Sequence, residues 1–295
     1  MATLKAPARL PELVRAAFAK ALHEGDLSYF PTHVQDVRVG SLSLILNGNQ
    51  FQLRFSPSLA NKPKAPRKKQ QGTSSSSEPF DPFAYTSSPP PRLFVADVGA
   101  AHFLVLNKFA IVPGHFILAT RAFAPQTRVL DAEDLHATLA CIRAYEDDDG
   151  GDGALFATFS ETIRLDTPRE DLHAAYLRLY GQAVRAAAAA AKGDEMGGAA
   201  AAKAGDEAAI SYNMAMTRDR LVICPRLAEG GPIRDPDTGE VVGQVSLNGT
   251  MLAGTALVKT EAEWDALRRN PQALTVVLKT VGIAQPHFSE ESIRL

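Results

Sequence analysis

Two apolar runs, Phe103–Phe109 and Phe116–Thr120, stand on either side of Pro113-Gly114. Their large side chains suit central strands and the Pro-Gly pair supplies a turn, so the middle of the chain is committed to an antiparallel hairpin. The arrangement recurs. Ile210–Thr217 and Leu221–Pro225 flank Arg218-Asp219, and Val241–Leu247 and Met251–Lys259 flank Asn248-Gly249, a strong hairpin-turn signal.

Between these pairs the periodicity becomes helical. Pro11 can occupy a first helical position, and Leu10, Leu13, Ala17 and Leu22 recur at helical spacing, so Pro11–His23 reads as an amphipathic helix ending before Gly25. Asp131 caps a helix carrying Leu135, Leu139 and Ile142 on one face, which the acidic-glycine stretch Glu146–Gly153 ends. Thr167-Pro168-Arg169-Glu170 and Thr260-Glu261-Ala262-Glu263 both have capping-box spacing. Asn270-Pro271 opens a last helix with Leu274, Val277, Leu278 and Val281 before Gly282. Hairpins alternating with helices, without a regular βαβ rhythm, predict an α+β fold in which an antiparallel sheet is flanked by helices.

Two stretches lack the apolar content for a core. Residues 62–92 are rich in Pro, Ser and Lys and read as a flexible linker, in which Lys64–Lys69 is a solvated charge run before it is a nuclear import signal or an acidic-partner contact. Ala186–Ala209 is alanine-rich low complexity; it could prolong a helix by propensity but reads as an exposed insertion. The expected organisation is an N-terminal region 1–61, the linker 62–92, and a domain 93–295 carrying the insertion 186–209. The run Asp147–Gly153 lacks EF-hand ligand spacing and its closing Glu, so it reads as a solvated loop rather than a calcium site.

Lys+Arg 31 against Asp+Glu 33 leaves a net charge of -2, so no global field draws the protein to nucleic acid or an anionic membrane, and any polyanion site must be local. No uncharged run approaches the ~20 residues of a bilayer span, and charges interrupt the N-terminus where a signal peptide would be apolar. The only cysteines, Cys141 and Cys224, lie in apolar stretches and suit buried thiols in a reducing compartment. A cytoplasmic protein is expected, with the nucleus as the other compartment open to it.

There is no phosphate-loop, dinucleotide-binding, H-E-x-x-H or C-x-x-C motif, which argues against zinc and Walker-type chemistry. The seven histidines, His23, His33, His102, His115, His136, His173 and His287, form no H-x-H or H-x-x-x-H pair, and each by itself reads as structural.

Four segments stand together in order: PSLANKP around Lys62, LNKFAIVPGHFILAT from Leu106 to Thr120, YNMAMTRDRLVICPR from Tyr212 to Arg226, and SLNGTMLAGTALVK from Ser246 to Lys259. They resemble the P-S-L-x-x-K-P, L-N-K-F-x-x-x-P-x-H, Y-N-x-x-x-T and N-x-T-x-x-x-G-x-x-x-x-K stretches of the fungal-type diadenosine tetraphosphate phosphorylases, or ATP adenylyltransferases. The resemblance covers most of the chain. It implies the histidine-triad and galactose-1-phosphate uridylyltransferase fold, with an antiparallel sheet and flanking helices. It also implies an activity in which a histidine attacks the α-phosphate to form adenylyl-histidine, releasing ATP, after which inorganic phosphate takes the AMP to give ADP.

The family's nucleophile stands in a motif like N-S-G-x-x-S-G-x-S-x-x-H-x-H-L-Q, expected just after the helix that Asp131 caps. Here Asp152-Gly153-Ala154 leads directly to Phe156-Ala157-Thr158-Phe159, similar to an F-A-H-F segment further along in the family. No catalytic residue is therefore carried over, and the expectation is an adenylyltransferase-like protein inactive as written, with a non-catalytic nucleotide-binding or interaction module as the alternative. The resemblance implies nucleotide-contacting roles for Lys62, for Asn107 and Lys108, and for Asn248, Gly249, Thr250 and Lys259. Lysine suits a flexible polyphosphate because its charge is compact, and the Asn248–Thr250 turn could offer amides and a hydroxyl. Taken alone, Asn248-Gly249 would be only a turn and Lys62 only a linker charge. His115, in the P-x-H position, reads as structural support. The implied partners are adenine nucleotides, diadenosine polyphosphates and inorganic phosphate, with no nucleic acid and no membrane. No metal site and no definite cofactor is assigned, though a divalent metal ion can accompany the nucleotide.

Overall fold

The computed structural model describes residues 4–39, 50–57, 92–145, 159–190, 203, 205–252 and 254–283. Helix α1 (Leu10–His23) buries Leu10, Val14, Phe18 and Ala21, a stripe at three- and four-residue spacing, and Pro11 sits in its first turn, where no N–H is needed. Strands β1 (Ser28–Tyr29), β2 (His33–Arg38) and β3 (Gln50–Phe55) follow, then β4 (Phe94–Val98), β5 (His102–Leu106), β6 (Phe109–Ala110) and β7 (Phe116–Thr120).

The central hairpin forms, but its first strand stops at Leu106, and Phe109-Ala110 leaves as β6 to pair parallel with β1. β5 pairs antiparallel with β7, His102 opposite Thr120 and Leu106 opposite Phe116, and β4 completes a sheet ordered β4-β5-β7. Alternation along β5 sends Leu104 and Leu106 into the α1 core, while Phe103 and Val105 pack with Ala119 in a separate cluster.

Helix α2 (Ala132–Arg143) starts at Asp131, whose carboxylate accepts from the amides of Glu133 and Asp134, while the Asp134 carboxylate accepts from the Asp131 amide. Its Ala137 and Cys141 join the α1 core. Its Leu135 and Leu139 join a second core with Leu172, Tyr176 and Leu179 of α3 (Arg169–Ala190) and with Leu221 and Ile223 of the second strand after it. A fully buried leucine contributes about 2 kcal/mol, so α2 is fixed from two sides. The second core rests on β8 (Phe159–Thr162), β9 (Tyr212–Met216) and β10 (Arg220–Pro225), ordered β8-β10-β9; the β9–β10 hairpin is the one expected around Arg218-Asp219.

A third core gathers β3, β11 (Gly230–Arg234), β12 (Val241–Ser246), the short helix α4 (Gly249–Leu252), β13 (Thr255–Val258), α5 (Glu261–Arg269) and α6 (Ala273–Val281). Thr260 opens α5 with the full capping box. α6 begins at Ala273, three residues after Asn270, because residues 270–272 form a turn in which the Asn270 carbonyl accepts from the Ala273 amide.

The hairpin expected around Asn248-Gly249 does not form. The Asn248 side chain instead caps α4, its Oδ1 accepting from Thr250 Oγ1 at 2.6 Å and from the Met251 amide at 3.0 Å. β12 pairs back onto β11 and β13 pairs parallel with β3, so the two runs never meet as neighbours. The β11–β12 turn is made by Asp235, whose Oδ1 accepts from the amides of Asp237 and Thr238. The architecture is α+β, with antiparallel pairing everywhere among the described strands except β1–β6 and β3–β13. α3 reaches Ala190, so the start of the alanine-rich run is helical. Residues 191–202, the acidic-glycine stretch 146–153 and nearly all of 62–92 lie outside the described residues. Among the described residues no helix is long and apolar enough to cross a membrane.

Candidate functional site

The parallel pairing of β3 with β13 decides what lies near Lys259. Phe55 stands opposite Val258, and the Ser56 amide donates to the Val258 carbonyl at 3.0 Å, so Pro57, which opens the PSLANKP segment, leaves the sheet beside Lys259. Lys62 itself lies outside the described residues. The Lys259 side chain is exposed, while its amide donates to Glu263 Oε2 at 2.7 Å. That buried carboxylate also accepts from the amides of Thr260 and Gln244, which pins the strand end without using the lysine's charge. A ladder of rings borders this end: His33 stacks on Phe55 with centroids 6.2 Å apart, and Phe55 on Trp264 at 5.7 Å.

Asn248, Gly249 and Thr250 are exposed on the turn into α4. The carbonyl of Leu247, just before it, accepts from Arg226 Nη1 at 3.1 Å and from Asn213 Nδ2 at 3.4 Å. The Tyr212–Arg226 and Ser246–Lys259 segments are therefore joined in space.

Asn107 and Lys108 lie elsewhere, between β5 and β6. Asn107 Oδ1 accepts from the Phe109 amide at 2.9 Å and its Nδ2 lies 3.4 Å from His115 Nε2, so His115 supports the loop, as its sequence reading held. Burial lowers the His115 pKa, which keeps the ring neutral. Lys108 is exposed, and its carbonyl accepts from the Ser28 amide at 2.8 Å. Only residues 28–33 separate that contact from His33, which stands opposite Phe55. Five extended residues span at most about 17 Å, so the Lys108 and Lys259 regions are tied by one short tether. Their side chains share no hydrogen bond or ion pair among the described residues, and neither cavity described next is lined by any of the sequence-derived site residues.

One cavity, of about 640 Å³, has apolar walls from Ile117, Leu118, Phe123 and Leu130 and a charged floor. On that floor Asp134 Oδ1 lies 2.9 Å from His102 Nε2, and Asp134 Oδ2 accepts from Arg128 Nη2 at 2.5 Å. Burial works to raise the Asp134 pKa; the bonds from His102 and the Asp131 amide, with the charge of Arg128, overcome it and hold the carboxyl below its usual range. The other cavity, about 1270 Å³, is a groove between α2, residues 165–170 and Leu4-Lys5. Sequence reasoning missed both. The only available signal was the spacing Arg128-x-x-Asp131-x-x-Asp134, which by itself marks a helix start. No group of three His, Cys, Asp or Glu side chains among the described residues could hold a metal ion.

Residues 1–149 match the Ap4A phosphorylase N-terminal domain, and residues 153–284 match the ATP adenylyltransferase C-terminal domain. A curated relative, diadenosine 5',5'''-P1,P4-tetraphosphate phosphorylase 2 of Saccharomyces cerevisiae, is 35% identical over 106 residues, which is 34% of this chain and 30% of the relative. The matched stretch thus spans under a third of that protein's length. Among solved structures, yeast Ap4A phosphorylase Apa2 in complex with AMP superposes with a TM-score of 0.67 at 20% identity, covering 96% of this chain and 99% of that one. The same enzyme in complex with Ap4A gives 0.66 at 20% identity, covering 94% and 98%. At such identity the likeness establishes the shared fold.

Proposed function

Because the chain belongs to the Ap4A phosphorylase family, we propose that it is an ATP adenylyltransferase-like protein of diadenosine polyphosphate metabolism that binds adenine nucleotides but lacks covalent phosphorolysis. One observation carries the second half. The sequence passes from Gly153 to Phe159 without an H-x-H-L-Q segment, and none of its seven histidines stands in an H-x-H pair. In the family reaction an imidazole nitrogen forms a bond to the α-phosphorus as the bond to the departing ATP breaks, and a phosphate oxygen then displaces the imidazole to give ADP. Without that imidazole the attacking phosphate would meet an anionic phosphorus directly. Loss of a nucleophile costs several orders of magnitude in rate, of which positioning recovers part.

The nucleotide is assigned to the region between the Asn107-Lys108 segment and the Asn248–Lys259 segment, with Lys62, Lys108 and Lys259 attracting its phosphates and Asn107, Asn248, Gly249 and Thr250 lining the edge. A net charge of -2 gives no long-range pull, so these local cations must act together. Affinity is expected no tighter than micromolar, about 8 kcal/mol. Calorimetric titration with ATP and diadenosine tetraphosphate tests the reading: binding should weaken with salt and be lost in the Lys108→Ala, Lys259→Ala double variant. Equal binding by both proteins would remove the site. Phosphate-dependent ADP formation near 10 per second, typical of enzymes, or a transcript encoding H-x-H-L-Q between Gly153 and Phe159, would overturn the loss of chemistry.

A further inference from the structure

The groove between α2 and the start of α3 contains a histidine that the packing leaves unused. His136, on α2, is 8% exposed and lines the groove, yet has no hydrogen-bond partner among the described residues. Arg143 follows it by two helical turns on the same side, about 10 Å along the axis, and Arg169, Pro168 and Thr167 bring the first turn of the 22-residue α3 to the same space. Arg143 is half-buried and makes no ion pair among the described residues.

We propose that this groove is a binding site for a phosphoryl-type dianion, held by Arg143, Arg169 and the His136 ring at the N-terminal end of α3. The chemistry favours such a ligand. Guanidinium groups chelate tetrahedral oxyanions, the dipole of a long helix favours negative charge at its N-terminal end, and a neutral imidazole can donate one N–H to an oxygen. Lys5, exposed at the rim, adds a further cation. The facing acids are Glu133, Asp166 and Glu170. Asp166 is engaged by both Arg164 Nε at 2.9 Å and Nη2 at 3.2 Å, Glu170 accepts from its own amide at the start of α3 and lies 3.4 Å from Arg169, and Glu133 is exposed one helical turn before His136 on α2. The acidic residues Glu146 to Asp149 that follow α2 in sequence lie outside the described residues. Burial, then the charges of Arg143 and Arg169, lower the His136 pKa, against a smaller opposing effect from Glu170, so the ring sits in a locally positive field. A bound dianion reverses that field, stabilises the imidazolium, and binds more tightly as pH falls.

This site does not depend on the nucleotide assignment above. The test is histidine-detected NMR with calorimetry on the full chain, adding sodium sulfate, whose charge is constant over the range, and then inorganic phosphate, against sodium chloride at matched ionic strength. The His136 ring signals should move saturably with both oxyanions, and its titration midpoint should rise. Arg143→Gln and Arg169→Gln should each weaken binding about 10-fold, the value of a charge-assisted pair near 1.4 kcal/mol, while Lys108→Ala with Lys259→Ala leaves it unchanged. ATP added to that double variant separates the sources: movement of His136 identifies a nucleotide phosphate as a ligand, and movement with inorganic phosphate alone identifies the free anion. No saturable movement beyond the chloride control, or unaltered affinity in both arginine variants with folding intact by circular dichroism, overturns the site.

Discussion

His102 Nε2 on β5 lies 2.9 Å from Asp134 Oδ1 on α2, joining the central sheet to the helix that two cores share. His102 is 3% exposed, and Asp134 also receives Arg128 and the Asp131 amide, so one carboxylate satisfies three donors, one from β5 and two from the segment leading into α2. Asp134→Ala removes all three bonds and leaves a half-buried guanidinium without its closest partner. The expected loss is about 3 kcal/mol or more. Asp134→Asn keeps the shape and some of the bonding and should lose about 2 kcal/mol. Urea unfolding midpoints of the two variants measure both, and parity with wild type would show the network to be idle.

The same carboxylate sets part of the acid response. Its folded-state pKa lies below the usual carboxylate value, so the stability it contributes is present above the unfolded pKa, about 3.9, and is lost as pH falls through the folded value. His115 and His136 act earlier. Their folded-state pKa values are lowered, so the unfolded chain takes up protons first and stability declines below about pH 6.5. Denaturation midpoints across this range should show a gradual fall and then a steeper acid limb. Asp134→Asn should flatten only the steeper limb.

What was legible in the sequence was what short-range chemistry decides. Asp131 and Thr260 cap where their side chains reach amides two or three residues ahead, and β5 and β7 pair as strands close in sequence, with only residues 107–115 between them. The fold class followed from that alternation. The Asn248-Gly249 turn was misread because an Asn side chain caps a helical turn as well as it enters a hairpin, and the choice was made by β3, some 200 positions away, taking β13 as its neighbour. The family motifs marked Lys259 and the PSLANKP segment separately, and only that parallel pairing sets Lys259 beside Pro57. His102 and Asp134 are 32 positions apart, and neither alone carries a signal.

Gly243 on β12 fixes the floor beneath Lys259. A methyl group built there runs into Oε1, Cγ and Cδ of Glu263, whose carboxylate is buried and bound to the amides of Gln244, Lys259 and Thr260. That side chain cannot withdraw without leaving those amides unpaired. Gly243→Ala should therefore lose about 2 to 3 kcal/mol by overpacking, seen as a lower thermal midpoint. Gly239→Ala meets no neighbouring atom, so its cost is limited to the strain of a positive φ of 73°, and it serves as the comparison.

Cys141 and Cys224 are both buried, which pushes the Cys141 thiol up to about 11 and the Cys224 thiol up to about 12. The thiolate is the reacting species, and at about pH 8 these values leave roughly 1 in 1,000 and 1 in 10,000 of the thiols ionised, against about 1 in 4 for a free cysteine. Burial adds a steric barrier to any reagent. Because Cys141 packs against α1 and Cys224 within the third core, each becomes accessible only when its own core opens. Ellman's reagent should find no rapidly reacting thiol in the native protein at that pH, and two in denaturant. Comparing the two slow native rates by mass spectrometry then reports which core opens more readily. A native thiol reacting at the free-cysteine rate would contradict the packing of that core.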